Sequence, residues 1–302
     1  MPNDHPVDRH HLGAGTMAAT ILAHGAELAR LDCNGHALLW AAGPAWPRHA
    51  PVLFPIVGRL TGDRLHASAA TTRLTQHGFA RDQTFHWIER GPARCRLLLT
   101  DSPATRALFP FPFELELSYT LAGGALRIGF LIANPGAATL PVSAGAHPAF
   151  RWPLFPGVPK HDHTLRFEHP EPAPIRRLRD GLLRAEPEPS PIDGNILRLD
   201  PLLFADDAII LDRPRSTWAR LAVPDGRGLT VAWQGFSQLG IWSKPPDVPN
   251  ADFICIEPWQ GTASPAEFDG PFIDKPGLML IPPNGQRQLN LSIIPATEPS
   301  GG

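Results

Sequence analysis

The chain has 302 residues, 43% of them hydrophobic, so it is long enough for one large domain or two ordinary ones and too apolar for wholesale disorder. Its 27 Lys and Arg stand against 29 Asp and Glu, and a net charge of −2 provides no global field for nucleic acid or an anionic membrane. With 27 Gly and 36 Pro, helices and strand interiors are interrupted often, which excludes a long bundle or solenoid and favours many short strands joined by turns.

Residues 1–14 begin polar and His-rich, and are expected to form a flexible tail. They lack the basic segment followed by an apolar stretch that marks an export signal. No later stretch reaches the ~20 apolar residues that span a bilayer, so a cytoplasmic protein with no membrane partner is expected. Gly13-Ala14-Gly15-Thr16-Met17-Ala18 fits the loose dinucleotide pattern. It follows a polar tail rather than a buried strand, so it is read as a chance match. A strand is expected at Arg94–Thr100, and Ser102-Pro103 then opens one helical turn. From Phe113 to Leu121 the odd positions are apolar and the even ones polar. Gly123-Gly124 turns the chain, and Leu126, Ile128, Phe130 and Ile132 resume the alternation. This predicts a hairpin with one face on a core, ended by Asn134-Pro135-Gly136.

Further strands are expected at Thr164–Glu168, Ala208–Leu211, Leu229–Trp233, Phe253–Ile256, Leu278–Ile281 and Gln288–Ile294, and a second helical turn at Ser264–Glu267. The Pro-rich acidic stretch from His169 to Pro191 reads as a surface excursion, because strands of the same character lie on both sides. The fold expected is all-β: one large antiparallel β-sandwich over residues 15–297, with few short helices and a flexible end at 298–302. Cys33, Cys95 and Cys255 are far apart and read as free thiols in a reducing compartment. His161-Asp162-His163 reads as a solvated loop, without a third metal ligand in view.

Four segments set reactive side chains in apolar or turn-rich surroundings. Phe54-Pro-Ile-Val-Gly-Arg59 ends in an arginine that needs acceptors, and taken alone it reads first as a structural ion pair. Gln76-His77-Gly-Phe-Ala-Arg81 places a histidine beside a glycine. Gly145-Ala-His147-Pro-Ala-Phe150 holds an imidazole between small residues and a proline. In Phe253-Ile-Cys-Ile-Glu257-Pro-Trp-Gln-Gly261 a carboxylate ends an apolar run, where desolvation raises its pKa towards the range of a useful base. A carboxylate and an imidazole together supply a general base and a general acid. Trp242 and Trp259 are flat enough to stack on a sugar ring, and they read equally as core.

The four segments, in this order, resemble the aldose 1-epimerase (galactose mutarotase) family, and within it the LacX-like subgroup. Leu203-Phe-Ala-Asp-Asp-Ala208 and Gly240-Ile-Trp-Ser-Lys-Pro245 add to the resemblance, which spans roughly residues 20–295. It implies a galactose mutarotase-like β-supersandwich that interconverts the α and β anomers of a small-molecule aldose. It implies no cofactor and no metal. Residue by residue, it implies that His147 is the general acid and Glu257 the general base. Arg59 and His77 would bind the ring oxygen and hydroxyls. Asp207 would bind a hydroxyl, with its neighbour Asp206 as the other candidate, and Trp242 is taken as a further sugar contact. Galactose-specific members carry Asn-Arg where this chain has Gly58-Arg59, so galactose is not assigned as the substrate. Three other readings stay open: a non-catalytic sugar sensor, a glycosidase using Glu257 with Asp206 or Asp207, and a hexose 6-phosphate epimerase. The last would need a basic pocket, for which Arg81, Arg151 and Lys244 are candidates.

Overall fold

The computed structural model describes residues 8–67 and 70–298. Its largest element is a nine-stranded antiparallel sheet. The long hairpin of the sequence lies within it, as strands Glu114–Ala122 and Ala125–Ala133. Gln286–Ala296 pairs with the second of these and passes the sheet on to Gly228–Gln234. Along the hairpin every second residue is buried, as the alternation requires, and Gln286–Ala296 buries Leu289, Leu291 and Ile293.

A second sheet, of six strands, packs over the first. Its spatial order is Ile209–Leu211, Gln238–Trp242, Phe253–Gln260, Ala144–Ala146 and Val52–Leu53, and Ala149–Arg151 pairs further along Phe253–Gln260. Between the two sheets lies one hydrophobic core. Leu117, Phe130 and Leu291 enter it from the nine-stranded sheet, and Leu239, Ile241, Ile254 and Ile256 from the six-stranded one. Phe253–Gln260 is apolar at nearly every position because both of its faces are covered. Ile254 and Ile256 point into the sandwich, so Cys255, Glu257 and Trp259 point the other way. Loops fold over that outer face and enclose it.

Several expectations are corrected. Within the expected N-terminal tail, Arg9–Ala14 is a strand, paired along its length with Met17–Leu22. The loose dinucleotide pattern is simply the turn of this hairpin. Residues 1–7 and 299–302 lie outside the described residues. The first helical turn becomes the helix Pro103–Leu108, which Ser102 and Thr105 close with reciprocal capping bonds. At Ser264–Glu267 there is no helix. Ser264 O accepts from Leu183 N and Ser264 N donates to Arg59 O, so this backbone is tied to neighbouring segments. His163 is fully buried rather than solvated, with its ring nitrogens 2.9 Å from Pro159 O and 3.0 Å from Leu154 N. Cys33, Cys95 and Cys255 are buried free thiols.

Candidate active site

Strand register brings the first two functional side chains together. Gly145 lies opposite Trp259, and Ala149 lies opposite Cys255. Continuing that register between the two pairs sets His147 opposite Glu257, on the face away from the core. His147 Nε2 lies 3.2 Å from Glu257 Oε2. Both residues are deeply buried, at 7% and 1% exposure. Trp259 Nε1 donates to the same carboxyl oxygen at 3.2 Å, while Oε1 makes no hydrogen bond to the described residues. The indole of Trp259 is held by two glycines. A Cβ at Gly240 would lie 2.4 Å from its ring, and one at Gly145 would lie 2.7 Å from it. The neighbouring strands lack side chains there because the indole fills that volume.

Turns bring in the remaining walls. His77 has a positive φ of 66°, and its Nδ1 accepts from Gly58 N at 3.1 Å. The proton of the neutral ring is therefore on Nε2, which makes that nitrogen a donor. Gly58 has φ 70°, and a Cβ there would meet Ala263 Cβ at 2.5 Å, so an asparagine at this position has no room. Asp207 also has φ 66°. Buried Arg177 anchors its loop by donating to Leu203 O and Asp207 O at 3.0 and 2.9 Å. The positive φ values of His77 and Asp207 are both uncommon for residues other than glycine. Trp46 stacks on the His147 ring at 5.0 Å, and Trp242 meets the same ring edge-on at 5.6 Å.

These residues line one cavity of about 250 Å³, together with Gln76, Arg81 and Lys244. That is below the ~300–1,000 Å³ of pockets for drug-sized ligands, and suits a single sugar ring. A larger cavity of about 480 Å³ includes Glu171, Arg176 and Gln238 in its lining. Glu171 is engaged there by the backbone N–H groups of Arg215 and Ser216, and no carboxyl–imidazole pair lines that space.

Burial sets the protonation of the pair. It pushes the Glu257 carboxyl well above the usual carboxylate range, and nearby Asp207 adds to the rise. It pushes His147 down to about 3, with Arg81 and Arg48 acting in the same direction. His77 is held well below its ordinary value by burial, then by His147 and the two arginines. Burial therefore favours the state in which Glu257 holds the pair's one acidic proton and His147 is neutral over the ion pair.

Residues 8–270 match the family described as Aldose 1-epimerase. The chain belongs to the aldose 1-epimerase family. It is 32% identical over 263 residues to Protein LacX (plasmid) of Lactococcus lactis subsp. lactis, an alignment covering 83% of this chain and 87% of that protein. The fold of this epimerase-family chain superposes on a galactose mutarotase related enzyme from Lactobacillus acidophilus with a TM-score of 0.87. Sequence identity is 29%, and 97% and 100% of the two chains are covered. A galactose mutarotase-like protein from Lactobacillus casei ATCC 334 also gives 0.87, at 28% identity, with 95% and 99% covered.

Against the family pattern, the structure places His147, Glu257, His77, Asp207 and Trp242 around the cavity and leaves two expected candidates outside it. Arg59 is the first. Its guanidinium pairs with Asp63, Nε to Oδ1 at 2.7 Å and Nη2 to Oδ2 at 3.2 Å, and donates to Asp180 O. Its guanidinium does not line the cavity, so the structure does not bring it together with the other expected sugar contacts. Asp206 is the second; it is exposed, and Asp207 takes the lining position. Of the three basic candidates, Arg81 and Lys244 line the cavity, while Arg151 is exposed elsewhere. The sequence reading missed Trp46, whose one signal was a tryptophan isolated in a Pro-rich loop. Cys255 Sγ joins the ligand atoms of His147 and Glu257 within 4.8 Å. Metal binding there would need a thiolate, and burial, with Glu257 adding to it, pushes the Cys255 thiol well above its ordinary pKa.

Proposed function

We propose that the protein is an aldose 1-epimerase, catalysing mutarotation of an aldose by acid–base ring opening and closure. The observation that carries this reading is the buried His147–Glu257 pair, 3.2 Å apart, in a cavity sized for one sugar ring. Ring opening needs an acid and a base at the C1–O5 unit, which could stand on opposite sides of it. The pair instead stands side by side. That arrangement suits the chemistry, because O1 and O5 are both bonded to C1. A sugar presenting that edge sets its C1 hydroxyl at Glu257 and its ring oxygen at His147.

Binding moves the proton across the pair. The C1 hydroxyl donates to the carboxyl and favours its ionised form, and the proton passes to His147. Glu257 then takes the proton of the C1 hydroxyl while His147 gives its own to O5. The C1–O5 electron pair goes to O5, the bond breaks and the aldehyde forms. Rotation about C1–C2 presents the other carbonyl face, and the reverse transfers close the ring as the other anomer. His77 Nε2–H and the Asp207 carboxylate would hold sugar oxygens, and Trp242 and Trp46 would cover the apolar face of the ring.

Polarimetry on freshly dissolved α-D-glucose, α-D-galactose or α-D-glucose 6-phosphate tests this. The wild type is expected to accelerate at least one of them over its spontaneous rate. Folded Glu257→Gln is expected to lose ~10²–10⁴-fold in kcat, the usual contribution of a general acid or base. Normal turnover by that variant would overturn the assignment.

A further inference from the structure

The larger cavity, of about 480 Å³, lies beside the one that holds His147 and Glu257. Gln238 of the larger cavity stands opposite Trp259 of the smaller one in the strand register, so both occupy the same face of the six-stranded sheet. The same chain segments serve both spaces. Ile210 lines the smaller and Asp212 the larger, and Ala263 and Thr262 divide in the same way. The partition between them is apolar, because Leu183 on the larger side packs in one cluster with Ile210 and Trp259.

The polar groups of the larger cavity are fixed in place with bonding capacity left over. Buried Glu171 accepts from Arg215 N at 3.1 Å and from Ser216 N at 2.8 Å, one bond to each oxygen, which leaves lone pairs on both. Gln238 Oε1 accepts from Gly261 N at 2.9 Å, which pins the amide, and its Nε2 makes no hydrogen bond among the described residues. Arg176 Nη2 donates to Arg184 O, while its Nε is buried with no hydrogen-bond partner among the described residues. Half-buried Asp212 stands 3.8 Å from Arg176 Nη1, beyond hydrogen-bond reach.

The lining therefore offers carboxylates that only accept and N–H groups that only donate. A hydroxyl answers both, with one donor and two lone pairs. The carboxylates of Glu171 and Asp212 are balanced by the guanidinium groups of Arg176 and Arg213, so the cavity has no net charge to select an ion. Leu183 and Pro265 supply apolar wall for C–H groups. The volume lies within the ~300–1,000 Å³ of small-molecule pockets.

We infer that this cavity is a second binding site, for a neutral saccharide ring, with Glu171, Asp212, Gln238 and Arg176 holding its hydroxyls. The inference goes beyond the mutarotase reading and stands without it. Such a ring has two sources: a free monosaccharide, or the distal part of a reducing oligosaccharide whose reducing end occupies the smaller cavity.

The test is an NMR titration of the folded, ¹⁵N-labelled protein with D-glucose, D-galactose, lactose and maltotriose. The reporter is the side-chain amide signal of Gln238, identified by its absence from Gln238→Glu, a change that keeps an oxygen for Gly261 N. At least one sugar is expected to shift it saturably. The midpoint is expected to rise ~10-fold in Asp212→Ala, which loses a hydrogen bond to a charged group, and Arg176→Met gives the same comparison independently. A shift with a monosaccharide identifies the free ring. A shift with lactose or maltotriose alone identifies the distal ring, and Asp212→Ala then lowers kcat/KM for that sugar relative to glucose by a similar factor. No saturable shift with any of the four, or a midpoint unchanged in both Asp212→Ala and Arg176→Met, overturns the inference. A retained shift with no acceleration of anomer exchange for any sugar contradicts the mutarotase reading and leaves the second site standing.

Discussion

At the scale of single residues, His147 differs from a solvated histidine in where its proton is held. Burial and two guanidinium groups take the ring down to about 3, while Glu257 is raised. The one-proton state of the pair therefore extends well below pH 6.5. In kcat/KM the acid limb is expected well below 6.5, and a limb at 6.5, that of an ordinary histidine, would contradict the shared proton. The two arginines of the sequence motifs show how far such chemistry can be read in advance. Arg59 and Arg81 each end a motif, and nothing in the sequence says which one lines the cavity. Asp63, four residues on, pairs with Arg59, whereas Arg81 Nε makes no hydrogen bond and stands 3.8 Å from Asp82, which Arg48 also engages. Glu257 and His147 were legible because each is a polar side chain in an apolar or tightly packed run. Trp46 was not, because only the folded loop lays it on the imidazole.

At the scale of elements, the strand Phe253–Gln260 aims Glu257 and Trp259, and its neighbours shape the space around them. Gly240 lies directly opposite Glu257, and Gly145 opposite Trp259. Gly240→Ala would drive a methyl group into the indole that holds Glu257 Oε2. Overpacking of this kind costs about 1–3 kcal/mol. Its expected signature is a fall in kcat larger than the loss of stability alone produces at a temperature where the variant is still folded. Unchanged kcat would show that Trp259 does not position the carboxylate. The strands themselves were legible in proportion to their alternation. The hairpin from Glu114 to Ala133 reads clearly because one face is buried and the other wet. Arg9–Ala14 buries only Leu12 among exposed and half-buried residues, so its sequence carries no such pattern. Ser264–Glu267 has helix-opening residues, but bonds to Leu183 and Arg59 override the local preference.

For the whole molecule, the buried histidines link stability to pH. His77, His147 and His163 are all held below 6.5 in the fold, chiefly by burial. As pH falls through 6.5 the unfolded chain takes up protons that these rings refuse, so stability falls with it. Glu257 acts oppositely: above 4.5 the unfolded carboxyl releases a proton that the folded one keeps, which lowers stability as pH rises. Three groups outweigh one between 4.5 and 6.5, so the melting temperature is expected to rise with pH across that window. The rise should be shallower in His77→Gln, and an equal slope in that variant would remove His77 from the linkage. The antiparallel sandwich as a whole was legible because it follows from short alternating strands and frequent turns. The site was legible only as separate motifs, since the register that sets His147 against Glu257 joins residues far apart in the chain.

The most direct measurement is a double-mutant cycle on anomer exchange, with folded wild type, His147→Asn, Glu257→Gln and the double variant acting on whichever sugar the wild type turns over. If the two side chains work as one proton-sharing unit, each single change lowers kcat by ~10²–10⁴-fold and the double change lowers it little further. Wild-type turnover in either folded single variant, or losses that multiply fully in the double, would contradict that account.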